Sequence, residues 1–345
     1  MQLDERKRLV LRAIIEDYID SAEPVGSRTI ARKYQLGVSP ATIRNEMADL
    51  EEMGFIEQPH TSAGRVPSDR GYRFYVDSLM EPKRLAPRDT EVICRAYQAE
   101  AREVQAVIER TAQLLSRVTD YVALVVGPRL DTAVFRRIEV VPVKESTALI
   151  TLITGNGLIQ NKLVEVPEGL TTADLRAISD ALNHHMVGVP LNKMSRTLIR
   201  AMSHEIVRHQ LALDRILEVL EHLGRPDDGE RVFLGGTTNI LAQPEFRDVE
   251  KVRGLFSMLE RLELVRELMA DSGQGMLSVS IGEENKLPEV ADCSLIKATY
   301  SINGQVVGTL GVIGPRRMHY DRVLSVVDLV VRHLNDQLSQ IIGDS

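Results

Sequence analysis

Ser39, Ala41, Thr42, Arg44 and Asn45 combine small size with hydrogen-bonding ends at a spacing that suits the edges of base pairs. An asparagine amide can pair with adenine, a guanidinium with guanine or phosphate, and a threonine methyl with thymine. A second group lies in Gln58-Pro59-His60-Thr61-Ser62-Ala63-Gly64-Arg65-Val66-Pro67, where His60, Thr61, Ser62 and Arg65 offer hydroxyl and cationic contacts to phosphate. Arg28 and Arg70 are further candidate contacts on either side of these groups. From 60 to 76 three arginines (65, 70 and 73) face one acid, Asp69, a local excess of +2.

Other constellations fail on spacing or partners. In His204-Glu205-Ile206-Val207-Arg208-His209 the second histidine comes at i+5 rather than i+4, off the face a zinc site needs. Gly235-Gly236-Thr237-Thr238 lacks the lysine of a phosphate-cradling loop and reads as a tight turn. Glu283-Glu284 pairs two carboxylates with no placeable acid or base partner. Cys94 and Cys293 stand far apart without metal-ligand spacing, as packing residues do in a reducing compartment. The expectation is therefore a chain that is not an enzyme and takes no cofactor or metal. Tryptophan is absent and aromatics are 4%, which argues against stacking platforms for single strands.

The candidate residues need a helix-turn-helix with a wing to position them. Residues 4–20 place Val10, Ala13, Ile14 and Tyr18 at helical spacing. Pro24 and Gly26 break the chain, and Ser27 is placed to cap a short helix ending before Gly37. Ser39-Pro40, a cap followed by proline, opens a third helix to about Met53. At about 100° per residue, Ile43, Met47 and Leu50 form one apolar stripe. Ala41 and Asn45 then lie opposite, with Thr42 and Arg44 on the shoulders. Gly54 ends the helix, 55–57 begin a strand, the polar loop turns, and the chain resumes at Val66 as a hairpin should. Ser68 caps a further helix.

Charge makes demands of its own. The 345 residues carry a net −7, yet residues 1–88 hold 14 basic and 14 acidic side chains, so the rest supplies the whole deficit. A neutral head on an acidic body must concentrate positive charge locally to hold DNA. No run approaches a membrane span, and the charged start has no signal-peptide core, so a cytoplasmic protein without membrane contact is expected.

Residues 83–88 read as a linker between prolines 82 and 87. A helix over 89–117, broken near Gln98, precedes strand-like runs at 121–126, 134–141, 148–154 and 158–166, then a helix at 172–186. Later runs at 276–281, 295–302 and 306–313 precede a closing helix over 318–342. Two strand groups suggest one α+β domain (89–189 and 273–345) split by an insertion at 190–272. That insertion holds a long helix (192–223), a loop (224–229), a short strand (231–234) and a second helix (249–270). Its stripe of Ile199, Ile206, Leu213, Leu217 and Leu220 suits either core packing or self-association.

GVSPATIRNEMADLE and QPHTSAGRVPSDRGYR resemble, almost word for word, the winged-helix head of the heat-inducible transcription repressor family, HrcA. FLGGTTNILAQPEFRDVEKV is similar to that family's inserted dimerisation domain, and IGEEN and IGPRRMHYDRV to its split, GAF-like middle domain. The resemblance implies an α+β multidomain protein: a winged helix-turn-helix at 1–82 and a GAF-like domain interrupted by a mainly helical dimerisation insertion. It also implies a homodimeric repressor on an inverted-repeat, double-stranded operator of chaperone operons, with the GroE chaperonin as partner. The open alternative is a repressor whose GAF-like domain senses a small molecule.

Overall fold

A computed structural model describes residues 3–60, 63–81, 84–98, 103–128, 133–193, 212, 215–216, 218–220, 231–270 and 277–343. Its first unit is α1 (Glu5–Ser21), α2 (Ser27–Lys33) and α3 (Pro40–Glu52), then the hairpin β1 (Ile56–Glu57) and β2 (Val66–Pro67), then α4 (Asp69–Phe74), continued by a π-helical turn over Tyr75–Leu79. The three helices, hairpin and following helix fall where the sequence places them. One detail differs: Gly26, not Ser27, takes the capping position of α2, and Ser27 becomes its buried first residue.

Helices α5 (Pro87–Gln98) and α6 (Val104–Thr119) follow as separate elements, with Glu103 extended ahead of α6. The larger sheet has five antiparallel strands in the order β7-β3-β10-β9-β8. These are β3 (Val122–Val126), β7 (Val232–Gly235), β8 (Ser278–Ile281), β9 (Cys293–Ile302) and β10 (Gln305–Pro315). Strand β3 is Val-Ala-Leu-Val-Val, buried throughout because the sheet is covered on both faces. Ala123 and Val125 join a core with α6 and the closing helix α10 (Tyr320–Gly343), through Leu115, Val323, Val327, Val330 and Leu334. Val122 and Leu124 face α8 (Val249–Glu260) and α9 (Leu262–Ala270) through Leu255, Met258 and Val265.

The second sheet is a three-stranded meander of β4 (Phe135–Lys144), β5 (Thr147–Thr154) and β6 (Ile159–Glu165). Helix α7 (Thr172–Met186) covers one face. Asn183 fastens it there, accepting from the Ile138 N–H at 2.8 Å and donating to the Ile138 carbonyl at 2.9 Å. This unit has its own core, in which Ile138, Ile150 and Leu152 meet Leu175, Ile178, Ile216 and Leu220.

The division differs from the sequence expectation. The interruption of the larger sheet opens after Val126 and closes before Val232, since β3 and β7 pair directly, with Val126 opposite Val232. Strands β4–β6, expected with the split domain, thus lie inside the interruption, while the 249–270 helices, expected in the insertion, pack on the larger sheet. The apolar runs are present in both readings; pairing between distant strands, which periodicity cannot reveal, decides which core each joins. Most of the 192–223 helix, the 224–229 loop, the histidines at 204 and 209 and the linker's Lys83 lie outside the described residues. Among the described residues no helix is long and apolar enough to cross a membrane.

Candidate nucleic-acid interface

Burial and ion pairs fix the recognition helix from behind. Ile43, Met47 and Leu50 of α3 are buried in one core with Val10, Ile14 and Ile30. Lys7 of α1 bridges Glu46 at 2.9 Å and Asp49 at 3.0 Å, and Lys33 of α2 pairs with Asp17 of α1 at 2.6 Å. Glu46, with Asp49 and Asp4, holds the Lys7 ammonium well above its ordinary range. Glu46 and Asp49 are thereby engaged on the α1 side of the helix, away from Ala41, Arg44 and Asn45, which are exposed. Ser39 is exposed too, but its hydroxyl caps the helix, accepting from the Thr42 N–H at 3.1 Å and bonding the half-buried Thr42 hydroxyl at 3.0 Å.

The wing is tied to this helix at two places. Arg65 and Val25 exchange backbone hydrogen bonds, each at 2.9 Å, adding the α1–α2 connection to the edge of the hairpin. Gly64 permits that approach, because a Cβ there would stand 2.5 Å from the Val25 carbonyl oxygen. The Arg65 guanidinium meets Glu51 near the C-terminal end of α3, with Nε at 2.9 Å and Nη2 at 2.7 Å from Oε2. Gln58 donates to the Ala63 carbonyl at 3.2 Å, closing the base of the loop.

Between α2, α3 and the wing lies a notch of about 430 Å³, lined by Arg28, Arg44, Gln58 and Arg65 among others. Three guanidiniums from three separate segments thus converge on one cleft. Arg28 and Arg44 are exposed, and among the described residues neither pairs with an acid. This is a local concentration of positive charge on a head of zero net charge, suited to gripping phosphate while α3 presents its small residues to base edges.

The remaining candidates fall as follows. His60 is exposed at the turn of the wing. Thr61 and Ser62 lie outside the described residues. Arg70 does not line the notch: it donates to the Met53 carbonyl at 2.8 Å and lies over the Phe55 ring, 4.7 Å from its centroid, closing the C-terminus of α3. Sequence reasoning missed Glu51 and Gln58, which hold the wing. No local signal marks Glu51, since its partner is 14 residues away.

The flanks of the rejected motifs also take form. Gly235 ends β7, and Gly236, at φ +61°, turns the chain into a 3-10 helix over Thr237–Ala242. Among the described residues no group of three His, Cys, Asp or Glu side chains could hold a metal.

Residues 2–76 match a family model described as "Winged helix-turn-helix transcription repressor, HrcA DNA-binding", and residues 105–324 match "HrcA protein C terminal domain". The chain is 47% identical over 343 residues to the Heat-inducible transcription repressor HrcA of Pelotomaculum thermopropionicum, covering 99% of both chains. It is also 47% identical to the protein of the same name from Symbiobacterium thermophilum, over 97% of this chain and 98% of that one. A solved structure titled "Crystal structure of a hypothetical protein at 2.2 A resolution" shares the fold, with a TM-score of 0.68 and 24% identity over 99% of this chain and 100% of that chain. With a winged helix carrying a basic notch, and relatives matched almost end to end, the chain belongs to the HrcA family of heat-inducible transcription repressors, DNA-binding regulators rather than enzymes.

Proposed function

We propose that this chain is a cytoplasmic repressor that binds as a homodimer to an inverted-repeat operator of chaperone operons and releases it on heat stress. The observation that carries the reading is the open face of α3 beside the Arg28–Arg44–Arg65 notch. Ser39, Ala41, Thr42, Arg44 and Asn45 enter the major groove, and the wing, with His60, Thr61, Ser62 and Arg65, lies along the backbone. Two heads on one palindrome gain affinity through effective concentration, by factors of about 10²–10⁴, so losing the dimer releases the operator sharply.

The three-stranded unit is the proposed dimerisation domain. Its face away from α7 leaves Val141 and Leu163 49% and 62% exposed, an apolar surface suited to self-association. Dependence on the GroE chaperonin follows from the family resemblance: unfolded clients would occupy the chaperonin and leave the repressor unrescued. Mobility shifts on palindromic chaperone-promoter fragments at low salt test the core reading, and folded protein that ignores them refutes it. Sedimentation tests the dimer, and refolding yields after mild heating, with and without chaperonin, test the partner.

A second reading, a ligand-responsive repressor, is favoured by a cleft of about 780 Å³ lined by Val126, Val134, Asn156, Asn303 and Val306, a volume that fits a small molecule. A metabolite bound there must raise the melting midpoint, and a broad panel without any such shift refutes it.

A further inference from the structure

More than the connecting chain joins the winged helix to the larger sheet. Asp69, first residue of α4, has both carboxylate oxygens engaged: Oδ1 accepts from Arg316 Nη1 at 2.9 Å, and Oδ2 from the Glu283 backbone N–H at 3.0 Å. One turn on, Arg73 forks onto Glu284, with Nε 2.8 Å from Oε1 and Nη2 bonded to Oε2, while Nη2 also donates to the Val279 carbonyl at 2.7 Å. The Ile281 N–H, 2.9 Å from Oε2, orients Glu284 in turn. Gly282, at φ +57°, is so close that a Cβ would stand 1.8 Å from Asp69 Oδ2. On another side, Arg317 donates to the Ile19 carbonyl of α1 at 3.1 Å while pairing with Glu245. The rings of Tyr72 and Tyr320, both buried, meet across the same joint with centroids 6.0 Å apart.

Two features give this joint a direction. It is made of bidentate and charge-assisted hydrogen bonds, which specify orientation as well as adhesion. And none of its head residues belongs to α2, α3 or the wing, so docking leaves the recognition face open. A head merely tethered by the short chain after Leu79 would sample many angles; a head held by Asp69 and Arg73 has one.

We propose that Asp69, Arg73, Glu284, Arg316 and Arg317 are positioning residues for operator binding. They lock each head to its body, so that the paired bodies set the separation and angle of the two recognition helices and hence the half-site spacing accepted. The inference rests on the dimeric-operator reading above and deepens it. IGEEN and IGPRRMHYDRV, two of the segments that carry the family resemblance, thereby acquire a task at the head–body joint.

The test uses the full chain and three duplexes: one half-site, a palindromic chaperone-promoter fragment, and that palindrome with about 5 bp, half a helical turn, inserted between the half-sites. Glu284→Gln loosens the joint, and Gly282→Ala forces a side chain into it; both leave the head's own sequence intact. Wild type should favour the natural palindrome over the half-site by about 10²–10⁴-fold and lose nearly all of that advantage on insertion. Both variants should bind the half-site as wild type does, lose about tenfold on the natural palindrome, and lose only a few-fold more on insertion. Variants that keep the wild-type spacing profile overturn the proposal. So do variants that bind the palindrome more tightly, which would make the joint inhibitory, and variants equally weakened on the half-site, which would make it merely a support of the head's fold. A wild type that binds the half-site but gains nothing from the palindrome refutes the dimeric-operator reading itself.

Discussion

Arg44 and Arg65 line the same notch, yet they should respond differently to salt. Arg44 is exposed with no acid beside it among the described residues, whereas Arg65 has Glu51 at 2.7 Å. A cation that meets one phosphate contributes about 0.9 to the slope of log K against log salt concentration. In the proposed dimer Arg44→Ala removes two such cations, so the slope should fall by about 1.8. Over the fourfold rise from about 50 to 200 mM salt, the affinity gap between wild type and variant should narrow by about twelvefold. Arg65→Ala should flatten the slope by less than half as much, because Glu51 already compensates the charge removed. Glu51→Gln should steepen it, by uncovering Arg65. Fluorescence anisotropy on one operator duplex across a salt series reads all three. Equal slope changes for Arg44→Ala and Arg65→Ala, or parallel lines throughout, would refute the assignment of charge within the notch.

Asn45→Ala, on an exposed face, should leave the melting midpoint unchanged, cost about 1–3 kcal/mol of operator binding, and relax preference at one base position in a mutated-operator panel. Asn285 donates to the carbonyls of Gly282 at 3.0 Å, Val290 at 3.2 Å and Cys293 at 2.9 Å, so Asn285→Ala should destabilise the fold by about 1–3 kcal/mol in urea titrations. Burial pushes the Cys293 thiol up to about 12, so in the native protein a thiol reagent should label the half-buried Cys94 readily and Cys293 only after unfolding. The same burial has a consequence for stability: it is fully present below the ordinary thiol value of 9.0 and should decline as pH rises toward 12. Buried Tyr300 and Tyr320, pushed upward by desolvation, add to that decline, which melting curves above pH 9 would record.

The head was legible because its signals are local. Ser39-Pro40 announces the start of α3, the stripe of Ile43, Met47 and Leu50 sets its inward face, and Ala41 and Asn45 are left outward by helical geometry alone. The polar loop between Glu57 and Val66 likewise declares a hairpin. Those are properties of a few consecutive residues, and backbone sterics and capping decide them without help from the rest of the chain.

Contacts between residues distant in sequence came only with the closed fold. Arg65 and Arg70 read alike as candidate DNA contacts, and only the fold sets them apart, with Glu51 beside Arg65 in the notch and Arg70 donating to the Met53 carbonyl at the end of α3. Asp69 and Arg73 look like an ordinary first-turn acid and last-turn base of a short helix, yet their partners Arg316 and Glu284 lie more than two hundred residues on. The division of the body went the same way: β3 and β7 pair across about a hundred residues, which moves the boundary of the interrupted sheet. The local elements and the face that α3 presents are written in short stretches of residues, because periodicity and caps act over one or two turns. The partners of charged side chains and the pairing of strands depend on which surfaces meet when the chain closes long loops, and no short window of residues records that.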